Sequence, residues 1–376
     1  MTEGYRRWRR AAAATNLAER AAVRYYRPEG DGRLYAVAVD GAERTYPLVA
    51  RRGWLAGRSG VSGVLGPYRD AKRTAIDESV VAALRARHAD RSGGDAELWN
   101  GETYAVSAMD ADGPPFPVTR SDYFSGCSTA VGLGEELTRA LYDAGASPDA
   151  PDDALGGIVD ALSLPRRERR FPDAASFFRA DLPPNVLGAG LLPVFDTGDG
   201  HATLCYRRSA DVAHYPGRVG IGASGIVAPD SAGEPPSVRR ALLTEFAEEL
   251  FDAEGGARDP LAHESVTRLE RLAERGEAHL DFAAAACNAV GGNVLLCALL
   301  FVESPAYYRD VRDGLSMNWE GSDAEWVSLT DGDRLAELSA PRGIVPHGAL
   351  CLFEGLRRLD DAYGVRSGLS FERRTP

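Results

Sequence analysis

The sequence predicts an α/β protein in two parts, an N-terminal α/β unit over residues 1–172 and a second unit over residues 173–376. Three observations carry this. The chain has 376 residues, more than one hydrophobic core usually organises. Stretches with apolar residues every three or four positions alternate with short apolar runs, the signatures of helices and strands. Between Gly145 and Asn185 the composition changes, with turn formers and charge in Ser147-Pro148-Asp149-Ala150-Pro151, Pro165 to Arg170 and Pro183-Pro184, which places the boundary near Asp173 to Asn185.

Thr2 to about Arg24 reads as a helix. Arg33 to Leu48 reads as two strands around the Asp40-Gly41 turn. Asp70 to Asp90 sets Ile76, Val80 and Leu84 on one helical stripe. Leu98 to Met109 and Phe116 to Thr119 read as strands, and Val131 to Ala144 as a helix interrupted at its start by Gly132 and Gly134. In the second part, Val186 to Phe195 is an apolar strand, Asp196 to Gly200 a turn, and Ala202 to Arg207 the hairpin partner. A Gly-rich loop follows, then a helix from Ser237 to Phe251 and an alternating stretch around Leu261 to Leu272. A long strand from Gly292 to Glu303, a strand at Glu325 to Leu329 and a closing helix from Gly348 to Leu359 complete the order.

Apolar residues make up 44% of the chain and charged residues 26%, as in ordinary globular proteins. The longest apolar run, Val294 to Val302, is strand-sized and too short to cross a bilayer. The N-terminus lacks a secretory h-region, and Glu3 and Glu19 within its Arg-rich stretch argue against a transit peptide, so a cytoplasmic protein is expected. A net charge of −12 disfavours general nucleic-acid binding. The five cysteines form no C-x-x-C pair, so neither a zinc site nor a disulfide framework is indicated; Cys205, Cys297 and Cys351 lie in apolar stretches and are expected in the core. Oligomeric state has no sequence signal.

The helix Ser237 to Phe251 carries the chemistry. Val238, Leu242, Phe246 and Leu250 share one face, while Glu245, Glu248 and Glu249, at i, i+3 and i+4, converge on another. Such carboxylates either form a solvated acidic face or hold a hard divalent cation, which prefers oxygen ligands and works alongside phosphates. Gly220-Ile221-Gly222-Ala223-Ser224-Gly225 satisfies G-x-G-x-x-G, but a dinucleotide fingerprint leads straight into a helix. Here Pro229, Pro235 and Pro236 follow, and the Rossmann reading fails.

What remains is a Gly-rich loop followed by an acidic helix, preceded by Arg207-Arg208-Ser209 and Tyr215-Pro216-Gly217. This order resembles the Nudix hydrolases, whose box is G-x5-E-x7-R-E-U-x-E-E-x-G-U, U being aliphatic. Glu245-Phe246-Ala247-Glu248-Glu249 matches its centre, and the resemblance covers about residues 185 to 360. It implies a mixed sheet sandwiched by helices, preceded here by a separate α/β domain. Thr244 stands where the family has Arg, with Arg239 or Arg240 as substitutes from the previous turn. Phe251-Asp252 replaces the closing Gly-aliphatic pair. Glu234 stands for the loop glutamate with nine residues before Thr244 where the family has seven.

The resemblance implies a Mg²⁺-dependent (or Mn²⁺-dependent) hydrolase that splits the diphosphate of a nucleotide conjugate. Glu245, Glu248 and Glu249 would be catalytic metal ligands, joined by an acid from a later loop, Glu320 or Glu325. Arg207 and Arg208 would meet phosphate oxygens and Tyr215 would stack on a base. Leu98 to Tyr104, Ser121 to Phe124 and Ala286-Cys287-Asn288 are similar to the two-domain UDP-glucose/UDP-galactose diphosphatases of the superfamily. That likeness implies a UDP-sugar split into UMP and sugar 1-phosphate. An NADH or ADP-ribose diphosphatase, or a non-catalytic nucleotide-binding regulator with a degenerate box, are the alternatives.

Overall fold

The computed structural model describes residues 2–26, 34–68, 75–92, 100–109, 112–209, 212, 215–229, 235–253 and 259–374. Arg33, Asp70, Leu98 and Glu234, named above, lie outside them. The expected N-terminal helix is two, α1 (Glu3–Ala14) and α2 (Leu17–Tyr25), because Asn16 takes the left-handed conformation (φ 54°) that Asn tolerates. Strands β1 (Leu34–Val39) and β2 (Ala42–Val49) turn at Asp40 and Gly41, both with positive φ, the geometry that an Asp-Gly hairpin turn requires. Next come β3 (Leu65–Tyr68), α3 (Glu78–Ser92), β4 (Glu102–Val106), β5 (Phe116–Asp122) and α4 (Tyr123–Asp143). The last begins eight residues before Val131 because Asp122 caps it, accepting from the Ser125 N–H (2.8 Å). Gly132 and Gly134 do not interrupt it. Two short helices, α5 (Asp152–Asp160) and α6 (Pro165–Arg170), end the N-terminal part.

The second part runs β6 (Leu187–Asp196), β7 (His201–Arg208), β8 (Val219–Ile221), β9 (Ala223–Ile226), α7 (Val238–Phe251), α8 (Glu264–Glu274), β10 (Ala278–Asn288), β11 (Val294–Val302), α9 (Pro305–Asp313), β12 (Gly321–Ser328), α10 (Gly332–Leu338), α11 (Pro346–Tyr363) and β13 (Phe371–Arg373). The Gly-rich stretch is thus partly strand. The expected alternating stretch is helix α8, which buries Val266, Leu269 and Leu272 at helical spacing. Strand β10 was hidden by its Ala-rich composition, a helix-former pattern that its place beside β11 overrides.

The main sheet has the order β12-β7-β6-β11-β10-β2-β1-β13, with β8 on β7 and β9 on β6. β6 and β11 run parallel, Leu187 to Phe195 against Val294 to Val302, while the other pairs are antiparallel. The sheet therefore draws strands from both parts of the chain, joined where Cys287 and Asn288 pair with Val49 and Leu48. A smaller sheet has the order β3-β5-β4.

Strand alternation builds a core on each face of the main sheet. Leu187, Leu191, Leu296, Ala298 and Leu300 pack with α7, α8 and the N-terminal helices. Leu192, Val194, Leu295, Cys297 and Leu299 pack with α11. The α7 face expected from the sequence, Val238, Leu242, Phe246 and Leu250, is buried. All five cysteines are buried free thiols. Among the described residues no helix is long and apolar enough to cross a membrane.

Candidate active site

Helix α7 starts where Ser237 accepts from the Arg240 N–H (3.2 Å) and lies against β9. This packing sorts the three carboxylates. Glu249 is buried, with 3% of its surface exposed, and accepts from the Ser224 N–H (2.9 Å). Glu245 presses against Gly225, where a Cβ would lie 1.6 Å from its Oε1. Glu248 is half-buried. The acidic face is therefore not solvated throughout, because β9 covers the Glu249 side of it.

Burial pushes the Glu249 carboxyl well above its usual range, and Glu245 and Glu320 push in the same direction. The Ser224 N–H and Arg208 oppose them. Arg208, at the end of β7, pairs with Glu320 (3.2 Å). The Glu320 loop is held by backbone bonds, Ser209 N–H to the Glu320 carbonyl (2.8 Å) and Asn318 N–H to the Glu249 carbonyl (3.2 Å). Arg208, Glu249, Glu245 and Glu320 form one charge cluster assembled from a strand end, a helix and a loop.

The other expected residues fall elsewhere. Alternation along β7 sends Arg207 outward, where it is exposed and donates to the Gly217 carbonyl (2.7 Å). Glu325 is gripped by Arg334 through two bonds (2.9 and 2.5 Å), which hold its carboxyl below the usual range. Arg239 reaches Glu270 (3.3 Å) and Arg240 reaches Asp259 (3.7 Å). The cation that bears on Glu249 is Arg208.

A cavity of about 440 Å³ opens beside this cluster, bounded by Ser224, Gly225 and Arg208 on one side and by residues of α1, α2 and α4 on the other. Tyr215, held at φ 56°, lines it and accepts from Asn288 Nδ2 (3.0 Å). Burial first, then Glu19, pushes the Tyr215 hydroxyl up to about 12. His347, 6.4 Å from the Tyr215 ring, is pushed down to about 3 by burial and by Arg208 and Arg218. Arg218 lies 5.0 Å over the Tyr215 ring and pairs with Glu19 of α2 (2.8 Å). Asn16, Glu19, Arg218 and His347 carry no motif in the sequence that marks them as cavity residues. Asn288 was visible in Ala286-Cys287-Asn288, but nothing marked Glu19 within an Arg- and Ala-rich helix.

Glu245, Glu248, Glu249 and Glu320 offer oxygen, the donor that Mg²⁺ takes, and a cation there would favour the ionised Glu249 carboxylate that burial and Glu245 disfavour. Among the described residues no group of three or more His, Cys, Asp or Glu side chains is gathered to hold a metal. Glu245 and Glu249, which flank the Ser224-Gly225 backbone, are the pair brought together.

No protein-family model matches the chain, and no curated protein does. Solved structures similar to it include the NUDIX domain of Shewanella oneidensis NrtR complexed with ADP ribose, with 14% identity over 46% of this chain and 88% of that one (TM-score 0.29). A Nudix hydrolase from M. smegmatis, RenU, has 16% identity over 47% and 85% (TM-score 0.27). A NUDIX hydrolase from Alicyclobacillus acidocaldarius has 14% identity over 48% and 97% (TM-score 0.26). The chain has the arrangement of sheet and helices expected from its motif order. A mixed sheet carries the acidic helix α7 on one face and the closing helix α11 on the other, with the Gly-rich strands beside the acids.

Proposed function

We propose that this chain is a Nudix-type hydrolase that cleaves the diphosphate bond of a nucleotide conjugate bound in the cavity beside α7. One observation carries the reading: Glu249 and Glu245 are pressed against Ser224 and Gly225, residues that line the cavity, with Arg208 beside them. Acids held against a cavity wall next to an arginine suit a diphosphate better than they suit a structural role.

Hydrolysis needs charge neutralised on the phosphate oxygens and a water aimed in line at phosphorus. Glu245 and Glu249 would hold a divalent cation, Mg²⁺ or Mn²⁺, with Glu248 and Glu320 as further oxygen donors; when bound it would supply Lewis-acid neutralisation and a more acidic water. Arg208, anchored by Glu320, meets non-bridging oxygens through charge-assisted bonds. Glu245 orients the attacking water, and the absence of a side chain at Gly225 leaves its carboxylate the space it occupies.

The finer form of the reading is a UDP-glucose or UDP-galactose diphosphatase that releases UMP and sugar 1-phosphate. Its support is that the N-terminal part, residues 1–172, contributes Trp8, Asn16, Leu17 and Glu19 to the cavity, so a non-reacting half of the substrate meets a wall that the acidic helix does not supply. The binding-only alternative draws on two observations, Thr244 in place of the family's Arg and the lack of a three-acid group among the described residues. A Mg²⁺-dependent screen of UDP-glucose, ADP-ribose and NADH with product identification separates these readings. Two phosphomonoesters from UDP-glucose support the finer form, and faster cleavage of an adenine substrate moves the assignment to that class. Saturable binding without turnover leaves the regulator.

A further inference from the structure

Arg218 is a buried cavity residue, 7% exposed, whose hydrogen-bonding capacity is nearly all used within the protein. Its guanidinium donates to Glu19 Oε1 (2.8 Å), Asn16 Oδ1 (3.2 Å) and the carbonyls of Pro341 (3.1 Å) and Ile344. Its Nε is buried without a partner among the described residues. The carboxylate that matches its charge comes from α2, in the N-terminal part, and is itself largely buried at 15% side-chain exposure. Beside this pair lie Tyr215 and His347, both neutral at pH 7, and the amide of Asn288.

This wall differs from the Arg208 end of the cavity. Arg208 is partnered by Glu320 at a loop, beside two further acids. Arg218 has its charge cancelled by a dedicated acid and four of its five N–H donors spent, so it offers a phosphate little. A second phosphate placed here would meet the Glu19 carboxylate, with Nε the one donor of the Arg218 guanidinium left to compensate. Excluding a competitor by a like charge is an ordinary route to specificity.

We propose that Glu19 is a specificity-determining residue: by matching Arg218 it keeps this wall neutral, so the site takes diphosphates whose cavity-side group is uncharged, such as a nucleoside or hexose, and rejects those with a further phosphate. The proposal rests on the cavity being the substrate site, as argued above. It makes the N-terminal helix α2 part of the site's selectivity rather than a cover over it.

The test is binding of non-hydrolysable ligands to the full chain by calorimetry, which does not depend on turnover. The ligands are AMP against adenosine 3′,5′-bisphosphate and UMP against uridine 3′,5′-bisphosphate, so that the nucleoside cancels within each pair. The wild type is expected to favour the monophosphate in whichever pair binds. In Glu19→Gln, Arg218 keeps its charge without a match, and the preference is expected to narrow by about tenfold or more. Arg218→Gln is expected to widen it, because Glu19 is then unmatched, and Glu19→Gln/Arg218→Gln is expected to return it to the wild-type ratio. A purely structural pair would weaken all four ligands together and would not shift the ratio in opposite directions. If Glu19→Gln does not fold, Arg218→Gln and the double variant still decide the matter. An unchanged ratio in every folded variant overturns the proposal while leaving the hydrolase reading intact. Absence of any nucleotide binding by the wild type overturns the proposal, and absence of turnover as well overturns the hydrolase reading with it.

Discussion

Replacing Gly225 by alanine adds one methyl group where the structure leaves no room for it. The new Cβ would lie 1.6 Å from Glu245 Oε1, 1.9 Å from its Cδ and 2.5 Å from Oε2. To reach ordinary contact the carboxylate must retreat by about 2 Å. It can do so, because it is the far end of a flexible side chain, at a rotamer cost of about 1 kcal/mol. Gly225 has no positive φ, so alanine is not strained there and recovers part of that cost by restricting the unfolded chain. Gly225→Ala is therefore expected to change stability by less than about 1 kcal/mol. Catalysis should suffer far more, since a displacement of about 1 Å at a reacting centre costs roughly 100-fold. Gly222→Ala is the contrast: Gly222 has φ 59° and its Cβ would meet the Leu191 carbonyl oxygen at 2.1 Å. That clash is with backbone, so this variant should lose stability, by about 1–3 kcal/mol for the strained φ alone. The assay is Mg²⁺-dependent kcat/KM beside calorimetric unfolding. Wild-type kcat/KM in folded Gly225→Ala would refute the placement of Glu245 in the reaction.

Four further outcomes are expected. Arg208→Ala should lower kcat/KM by about 100-fold through loss of a charge-assisted phosphate contact, whereas Arg207→Ala, exposed on the other face, should change it by less than about threefold; steady-state kinetics on both variants checks this. Glu325→Gln should leave turnover unchanged and cost less than about 1 kcal/mol in unfolding experiments, because its partly exposed pairing with Arg334 is structural. Mg²⁺ should raise the thermal midpoint of the wild type, and Glu249→Gln should reduce that rise, as differential scanning fluorimetry would show. His347 supplies a pH signature. The unfolded chain protonates this ring near 6.5 and the folded chain only near 3, so between those values the unfolded state binds more protons and stability falls as pH is lowered. Because the ring lines a cavity that water reaches, the loss is about 1–3 kcal/mol rather than the full difference. His347→Asn should flatten that part of the stability-versus-pH curve relative to the wild type.

Local signals in the sequence were enough to place the acidic helix, its start at Ser237 and its buried face, since a 3.6-residue period is a property of a dozen neighbouring residues. The β6–β7 hairpin and the apolar β11 were legible for the same reason. Which carboxylate is buried was not: Glu248 and Glu249 are adjacent, and only the position of β9 makes one half-buried and the other fully so. Nor could spacing decide between Arg207 and Arg208, or between Glu320 and Glu325. In each pair the choice follows from a tertiary partner, Glu320 for Arg208 and Arg334 for Glu325. The Glu19–Arg218 pair joins residues 199 positions apart, and no local pattern announces such a contact. Strand β10 was obscured because its alanines favour a helix when taken alone, while neighbours on both sides in the sheet make it extended.

The claim that matters most is that water is added across a diphosphate at the Glu245–Glu249 pair. It is tested by turnover in ¹⁸O-labelled water with Mg²⁺, following UDP-glucose and ADP-ribose by mass spectrometry of both products. Two phosphomonoesters are expected from the substrate that is used, with one ¹⁸O atom in one of them, and a rate that falls by orders of magnitude in Glu249→Gln. Label-free products, or equal rates in the wild type and Glu249→Gln, would contradict it.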